Sequence, residues 1–161
     1  MSKRPNCSKV KRSEKQIANQ NRFREATKYG KHVKKDPEMV ALYKQKKKSN
    51  QSVWNVSISD YMLKPKIKGI DFGGYVGVQG NKIVINAWDQ FSVMKVKVKI
   101  KNEGGEVLEE GEARKTGYAG AFEWEYIVTV DNPGYKKGTI EVSVKDRPGN
   151  EVKESYELDG S

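Results

Sequence analysis

One histidine and one cysteine give this chain little with which to build a catalytic centre. His32 lies in the lysine-rich run Lys31-His-Val-Lys-Lys35, where a solvated or dipole-facing imidazole is the expected reading, and the chain has no second imidazole to share a metal. Cys7 has cationic neighbours that favour a thiolate, yet no partner cysteine and no adjacent histidine. Phosphate-loop, nucleophile-elbow, zinc-protease and Cys-x-x-Cys patterns do not occur. A non-enzymatic protein is expected, with no catalytic residues, no cofactor and no metal.

Carboxylates offer a second chemistry. Asp89, Asp131, Asp146 and Asn150 fall in turn-rich stretches, where oxygen ligands can hold calcium. The same residue types are what tight turns use to bind their own backbone, and the turn reading is preferred. Gly69, Gly73, Gly74, Gly77 and Gly80 could cradle a phosphate, but no helix follows them to add its positive end, so bulges or a strand changing sheets explain them better. The row Lys95, Lys97, Lys99, Lys101 alternates with apolar residues; Glu123 and Glu125 are expected to offset much of it if their strands are neighbours. Trp88 and Tyr118 are the residues an exposed carbohydrate platform would need, since Trp124 belongs to an inward-facing row.

Cationic side chains give the strongest signal. Residues 1–66 hold 18 Lys/Arg against 5 Asp/Glu, a net of +13, while residues 67–161 hold 13 against 16, a net of −3. Segregation of this kind points to an arm or domain that meets a polyanion. Phosphate neutralisation releases counterions and gives affinity without base recognition. Lys9, Lys11, Arg12, Lys15, Arg22, Arg24, Lys28, Lys31, Lys44, Lys46, Lys47 and Lys48 are the expected nucleic-acid contacts. An acidic protein would satisfy the same charge. Tyr29, Tyr43 and Trp54 could stack on bases, but a small helical head needs them for its core.

Three elements must position those cations. Residues 1–12 read as a disordered basic arm. Ser13 with Gln16 forms a capping-box pattern, and helical residues run to about Lys34. Asn19, Phe23, Ala26, Gly30 and Val33 share one stripe, placing Lys15, Arg22, Arg24, Lys28 and Lys31 on the opposite face. Asp36-Pro37-Glu38 starts a second helix that ends in lysines. Residues 52–62 fit a strand or a helix, and a third helix is favoured because it gives the first two something to close against.

From Ile67 the period changes to two. Met94, Val96, Val98 and Ile100 alternate with lysines, and Phe122, Trp124, Tyr126, Val128 and Val130 alternate with Glu123, Glu125, Ile127 and Thr129; Ile140, Val142 and Val144 alternate with polar residues. The rhythm predicts strands over 67–72, 82–88, 93–101, 106–113, 121–130, 138–145 and 151–158, with turns at Asn102–Gly105, Asp131–Gly134 and Asp146–Asn150. The fold class is therefore α+β: a basic helical segment of two to three helices, then an all-β seven-stranded sandwich. The expected domains are a 13–65 head and a 66–161 sandwich.

The strand rhythm and the phrase Val142-Ser-Val-Lys-Asp146 leading into Arg-Pro-Gly-Asn150 resemble bacterial immunoglobulin-like or fibronectin-like modules. That resemblance implies a sandwich serving as a protein-interaction module, without the disulfide of antibody domains. The head is more distantly similar to small basic three-helix nucleic-acid binders of the HMG-box kind, on the strength of aromatics along a basic first helix and Asp36-Pro-Glu ahead of Leu42-Tyr-Lys44. An assembly role in a larger complex or particle is the competing expectation. Met1–Cys7 has no apolar h-region, and no apolar run reaches the roughly 18 residues of a membrane span, so a cytoplasmic location without membrane contact is expected.

Overall fold

The computed structural model describes residues 11–117 and 122–158. The chain divides between Met62 and Leu63 into two compact units. No helix among the described residues is long and apolar enough to cross a membrane.

The first unit holds three helices: α1 Glu14–Lys35, α2 Pro37–Lys46 and α3 Val53–Met62. Ser13 opens α1 with a complete capping box, its hydroxyl accepting from the Gln16 amide at 3.3 Å while the Gln16 side chain accepts from the Ser13 amide at 2.9 Å. Extended backbone at Asp36 stops α1, and the Asp36 carboxylate then accepts from the amides of Glu38 and Met39 to start α2. Residues 53–62 are helical, and the Ser52 hydroxyl accepts from the Asn55 amide at 3.1 Å.

Ala26, Gly30 and Val33 are the buried positions of α1, as their spacing predicts. Gly30 lets α1 lie close to α3: a Cβ there would stand 3.0 Å from two ring carbons of Trp54. The Tyr43 hydroxyl of α2 donates to Asp60 Oδ2 at 2.5 Å and lies 2.7 Å from the Tyr29 hydroxyl. Burial, reinforced by those partners, holds the Tyr43 phenol far above the usual tyrosine pKa. At 22 residues α1 is about 33 Å long, whereas its partners have 10 residues each and span about 15 Å. The first turns of α1 therefore outrun the bundle. Asn19 and Phe23, on the same spacing as the packed residues, are exposed, Phe23 by 52%.

The second unit is two four-stranded antiparallel sheets, of order β1-β2-β6-β5 and β4-β3-β7-β8. The strands are β1 Lys66–Asp71, β2 Lys82–Trp88, β3 Val93–Lys101, β4 Val107–Glu112, β5 Arg114–Lys115, β6 Glu123–Ile127, β7 Thr139–Asp146 and β8 Glu151–Glu157. Eight strands stand where seven are expected, because the two-residue β5 adds an edge to the first sheet. Inward residues of both sheets, among them Ile83, Ile85, Val98, Trp124, Tyr126, Ile140 and Val142, form one apolar core. β6 is shorter than the 121–130 expectation, running from Glu123 to Ile127, although the Phe122 carbonyl still accepts from the Ala87 amide at 3.0 Å and the Val128 amide donates to the Asn81 carbonyl at 2.9 Å. Phe122 and Val130 are 51% and 42% exposed, as is Met94 at the head of the β3 row, at 48%.

The 72–81 loop turns on left-handed glycines, Gly77 and Gly80, and the first of them is also sterically fixed. Gly77 has φ +74°, and a Cβ there would sit 2.1 Å from the Asn132 carbonyl oxygen, while the Asn132 amide donates to the Gly77 carbonyl at 2.8 Å. The aspartates organise turns: Asp89 accepts from the amides of Phe91 and Ser92, Asp131 from Gln79, and Asp146 from Gly149 and Asn150.

Candidate functional site

Arg24, Lys28, Lys31 and Lys35 recur along α1 at helical spacing and are all exposed. Each stands two residues from a buried position, which puts it roughly opposite on a 3.6-residue turn. The axial steps between them are about 4.5 to 6 Å, of the order of the phosphate repeat along a nucleic-acid strand. Lys28 pairs with Glu25 at 2.8 Å, on a surface where such a pair is weakly held. Among the described residues of this unit, no carboxylate lies within ion-pair distance of Arg24, Lys31 or Lys35. Lys35 belongs to this face beyond the expected contacts, and its phase with Arg24, Lys28 and Lys31 is the sequence signal that marks it.

Arg22 is not on that face. Its guanidinium turns inward, donates to the carbonyls of Tyr61 and Met62 at 3.0 and 3.3 Å, and lies 5.8 Å from the Tyr61 ring centre. Those carbonyls are the unsatisfied end of α3, where a cation also meets the negative pole of the helix. Arg22 is a helix cap, which corrects its placement opposite the apolar stripe. Lys15 is exposed on the first turns of α1, and its phase is closer to the packed face than to the Arg24 stripe. Lys11 and Arg12 are exposed ahead of α1, whereas Lys9 and Cys7 lie outside the described residues. Lys44 and Lys46 close α2, Lys47 is its half-buried cap, and Lys48 opens the loop to α3. His32 is exposed in the last turns of α1.

The aromatic residues divide cleanly. Tyr43 is buried, Tyr29 and Tyr61 are half-buried with ring centres 5.6 Å apart, and Trp54 packs on Gly30 with the Lys34 ammonium 4.7 Å from its ring centre. Among the described Phe, Tyr and Trp residues of the unit, Phe23 is the exposed one. It lines a hollow of about 650 Å³ together with Arg12, Asn19, Gln20, Arg24 and Met62. Arg12 is held there by a 2.9 Å hydrogen bond from Nη1 to Gln20 Oε1.

Comparison with protein-family models, with curated proteins and with solved structures finds no match.

The β unit handles its cations differently. Lys95 pairs with Glu112 at 2.9 Å, Lys99 with Glu110 at 3.8 Å, and Lys101 with Glu141 at 3.0 Å. The partners come from β4 and β7, because those are the neighbours of β3; Glu123 and Glu125 belong to the other sheet, where Glu125 meets Lys82 and Arg114. The Lys101 ammonium holds the Glu141 carboxyl below its ordinary pKa. Trp88 is half-buried beneath Lys66 and Lys68, whose ammoniums lie 5.9 and 5.4 Å from its ring centre, and Tyr118 lies outside the described residues.

Proposed function

We propose that this is a non-enzymatic binding protein whose helical unit grips the phosphate backbone of nucleic acid while the β unit, an immunoglobulin-like module, engages a protein partner. The observation that carries the reading is the exposed row Arg24, Lys28, Lys31, Lys35, three of whose members have no carboxylate within ion-pair distance among the described residues of their unit. A row of cations at near-phosphate spacing on a rigid helix gains counterion-release free energy without having to order a flexible chain. Lysines meant only to balance the fold would be matched by acids, as Lys95, Lys99 and Lys101 of β3 are.

The immunoglobulin-like reading of the β unit is supported by its sheet orders, in which the third and seventh strands form the centre of one sheet and the second and sixth the centre of the other. A protein partner is supported by exposed Val76, Val78 and Val130, each between 42% and 51% exposed, which two hydrogen bonds draw together: the Asn132 amide to the Gly77 carbonyl and the Gln79 amide to the Asp131 carboxylate. The outer edge strands β4 and β8 carry charged side chains, which discourages simple strand addition. The Tyr43–Asp60–Tyr29 cluster is a structural network rather than a catalytic one, since its tyrosine is buried and kept protonated.

The test is an anisotropy titration of the intact chain against a labelled DNA duplex from about 50 to 300 mM salt. Log affinity is expected to fall linearly with log salt, and replacing Arg24, Lys31 and Lys35 with glutamine should reduce the slope by about two to three. No binding at low salt to the duplex or to a single strand of equal length, or a slope indifferent to the triple substitution, defeats the reading. Binding to polyglutamate with none to DNA would transfer the cationic face to an acidic protein.

A further inference from the structure

We infer that the hollow at the free end of α1 is a nucleotide pocket that captures one unpaired base of a single-stranded nucleic acid. The inference rests on the nucleic-acid reading above and deepens it by naming the form of the ligand.

The hollow brings together four chemistries that a nucleotide needs. Phe23 supplies an aromatic face, and it is 52% exposed in a unit that buries or half-buries its other rings. Met62 supplies a soft apolar wall. Asn19 presents an amide able to donate and accept, as base edges require, and Gln20, whose Oε1 accepts from Arg12, keeps its amide nitrogen as a donor. Arg12 and Arg24 stand as guanidiniums for the flanking phosphates or for stacking on a base plane. At about 650 Å³ the space falls within the 300–1,000 Å³ usual for small-ligand sites, enough for a base with its sugar and phosphate.

The chemistry also decides between ligand forms. In a duplex the base faces are stacked on one another and hidden behind the backbone, so an aromatic ring in a concave site cannot reach them without flipping a base out. Unpaired bases offer both faces at no such cost, and stacking on an aromatic side chain is the common device for holding them. The cationic row starts at Arg24, which lines the hollow, and continues along α1 to Lys35. A strand whose base enters the hollow can therefore lay its next phosphates along Lys28 and Lys31. The overhang of α1 beyond its partners leaves Phe23 unpacked, and occupation by a base would cover it.

The experiment measures anisotropy of the intact chain with labelled 12-nucleotide single strands, one DNA and one RNA, and with a DNA duplex of equal length. The wild type should bind at least one single strand about tenfold more tightly than the duplex. Phe23→Ala should weaken that binding by about ten- to hundredfold, the loss of one base stack, while leaving the duplex within about twofold. Comparison of the DNA and RNA strands identifies which sugar the site accepts. Phe23→Trp should retain affinity and show quenching of the added indole on binding, a readout that stands if the alanine variant proves unstable. Equal loss on single strand and duplex, or no loss and no quenching, overturns the pocket while leaving the nucleic-acid reading intact. Failure of the wild type to bind any of the three oligonucleotides overturns both.

Discussion

The two units of this chain treat the same side chain in opposite ways. On β3 three lysines sit opposite glutamates one strand away, at 2.9 to 3.8 Å, and the sheet surface is close to neutral. On α1 the cations form a row whose packed neighbours are alanine, glycine and valine, with acids largely absent from the face. A sheet brings residues distant in sequence into register, so pairing follows from the strand order. A helix can pair charges only three or four residues apart, and along this row those positions hold one acid, Glu25 beside Lys28, among cations and uncharged residues. The contrast separates cations that balance the fold from cations left available to something outside it.

That contrast can be broken at several points. The largest expected effect is in the β unit: Gly77→Ala combines a left-handed backbone with a Cβ 2.1 Å from a carbonyl oxygen, and should cost about 3 to 5 kcal/mol, read as a shift in the urea midpoint. An unchanged midpoint would mean that the 72–81 loop is not fixed as described.

Next comes the helical unit, whose polar centre is more vulnerable than its surface. Tyr43→Phe removes the donor to Asp60 and should cost about 1 to 3 kcal/mol. The pH dependence has a definite sign. The Tyr43 phenol is raised in the folded state, so stability is intact below about pH 10 and falls above it, where the unfolded chain loses a proton that the folded one retains. Burial also raises Tyr126, to about 12, so the β unit loses stability over the same alkaline range. Thermal melts followed by the helical signal should decline above pH 10 in the wild type and do so less steeply in Tyr43→Phe.

The smallest effect sharpens the comparison within one helix. Arg22→Ala should cost about 1 to 2 kcal/mol through the freed carbonyls of α3, whereas Arg24→Ala should stay within about 0.5 kcal/mol. Equal thermal shifts for the two variants would erase the distinction between a capping and an outward-facing arginine.

Much of this architecture is legible in the residues. Ser13-x-x-Gln16 and Asp36-Pro37 announce helix starts because capping is local, and β3 and β7 announce themselves by strict alternation. What escapes the sequence is non-local. Spacing gives the phase of Phe23 but not the place where α3 ends, so a residue in phase with the core emerges at the surface. Arg22 is misplaced for the complementary reason: its long side chain reaches carbonyls some forty positions away. Partners of the β3 lysines depend on which strands become neighbours, which no single strand encodes. The two-residue β5 is too short to leave a period at all.

The overhang of α1 has one more consequence. Residues 14–21 are exposed throughout, so their helical bonds are guarded by intrinsic propensity, the Ser13 cap and the exposed Arg12–Gln20 bond rather than by packing among the described residues. Amide protons there would trade with solvent far sooner than those near Val33, giving one continuous helix two clocks. Anything that seats itself beside Phe23 would slow the faster of them.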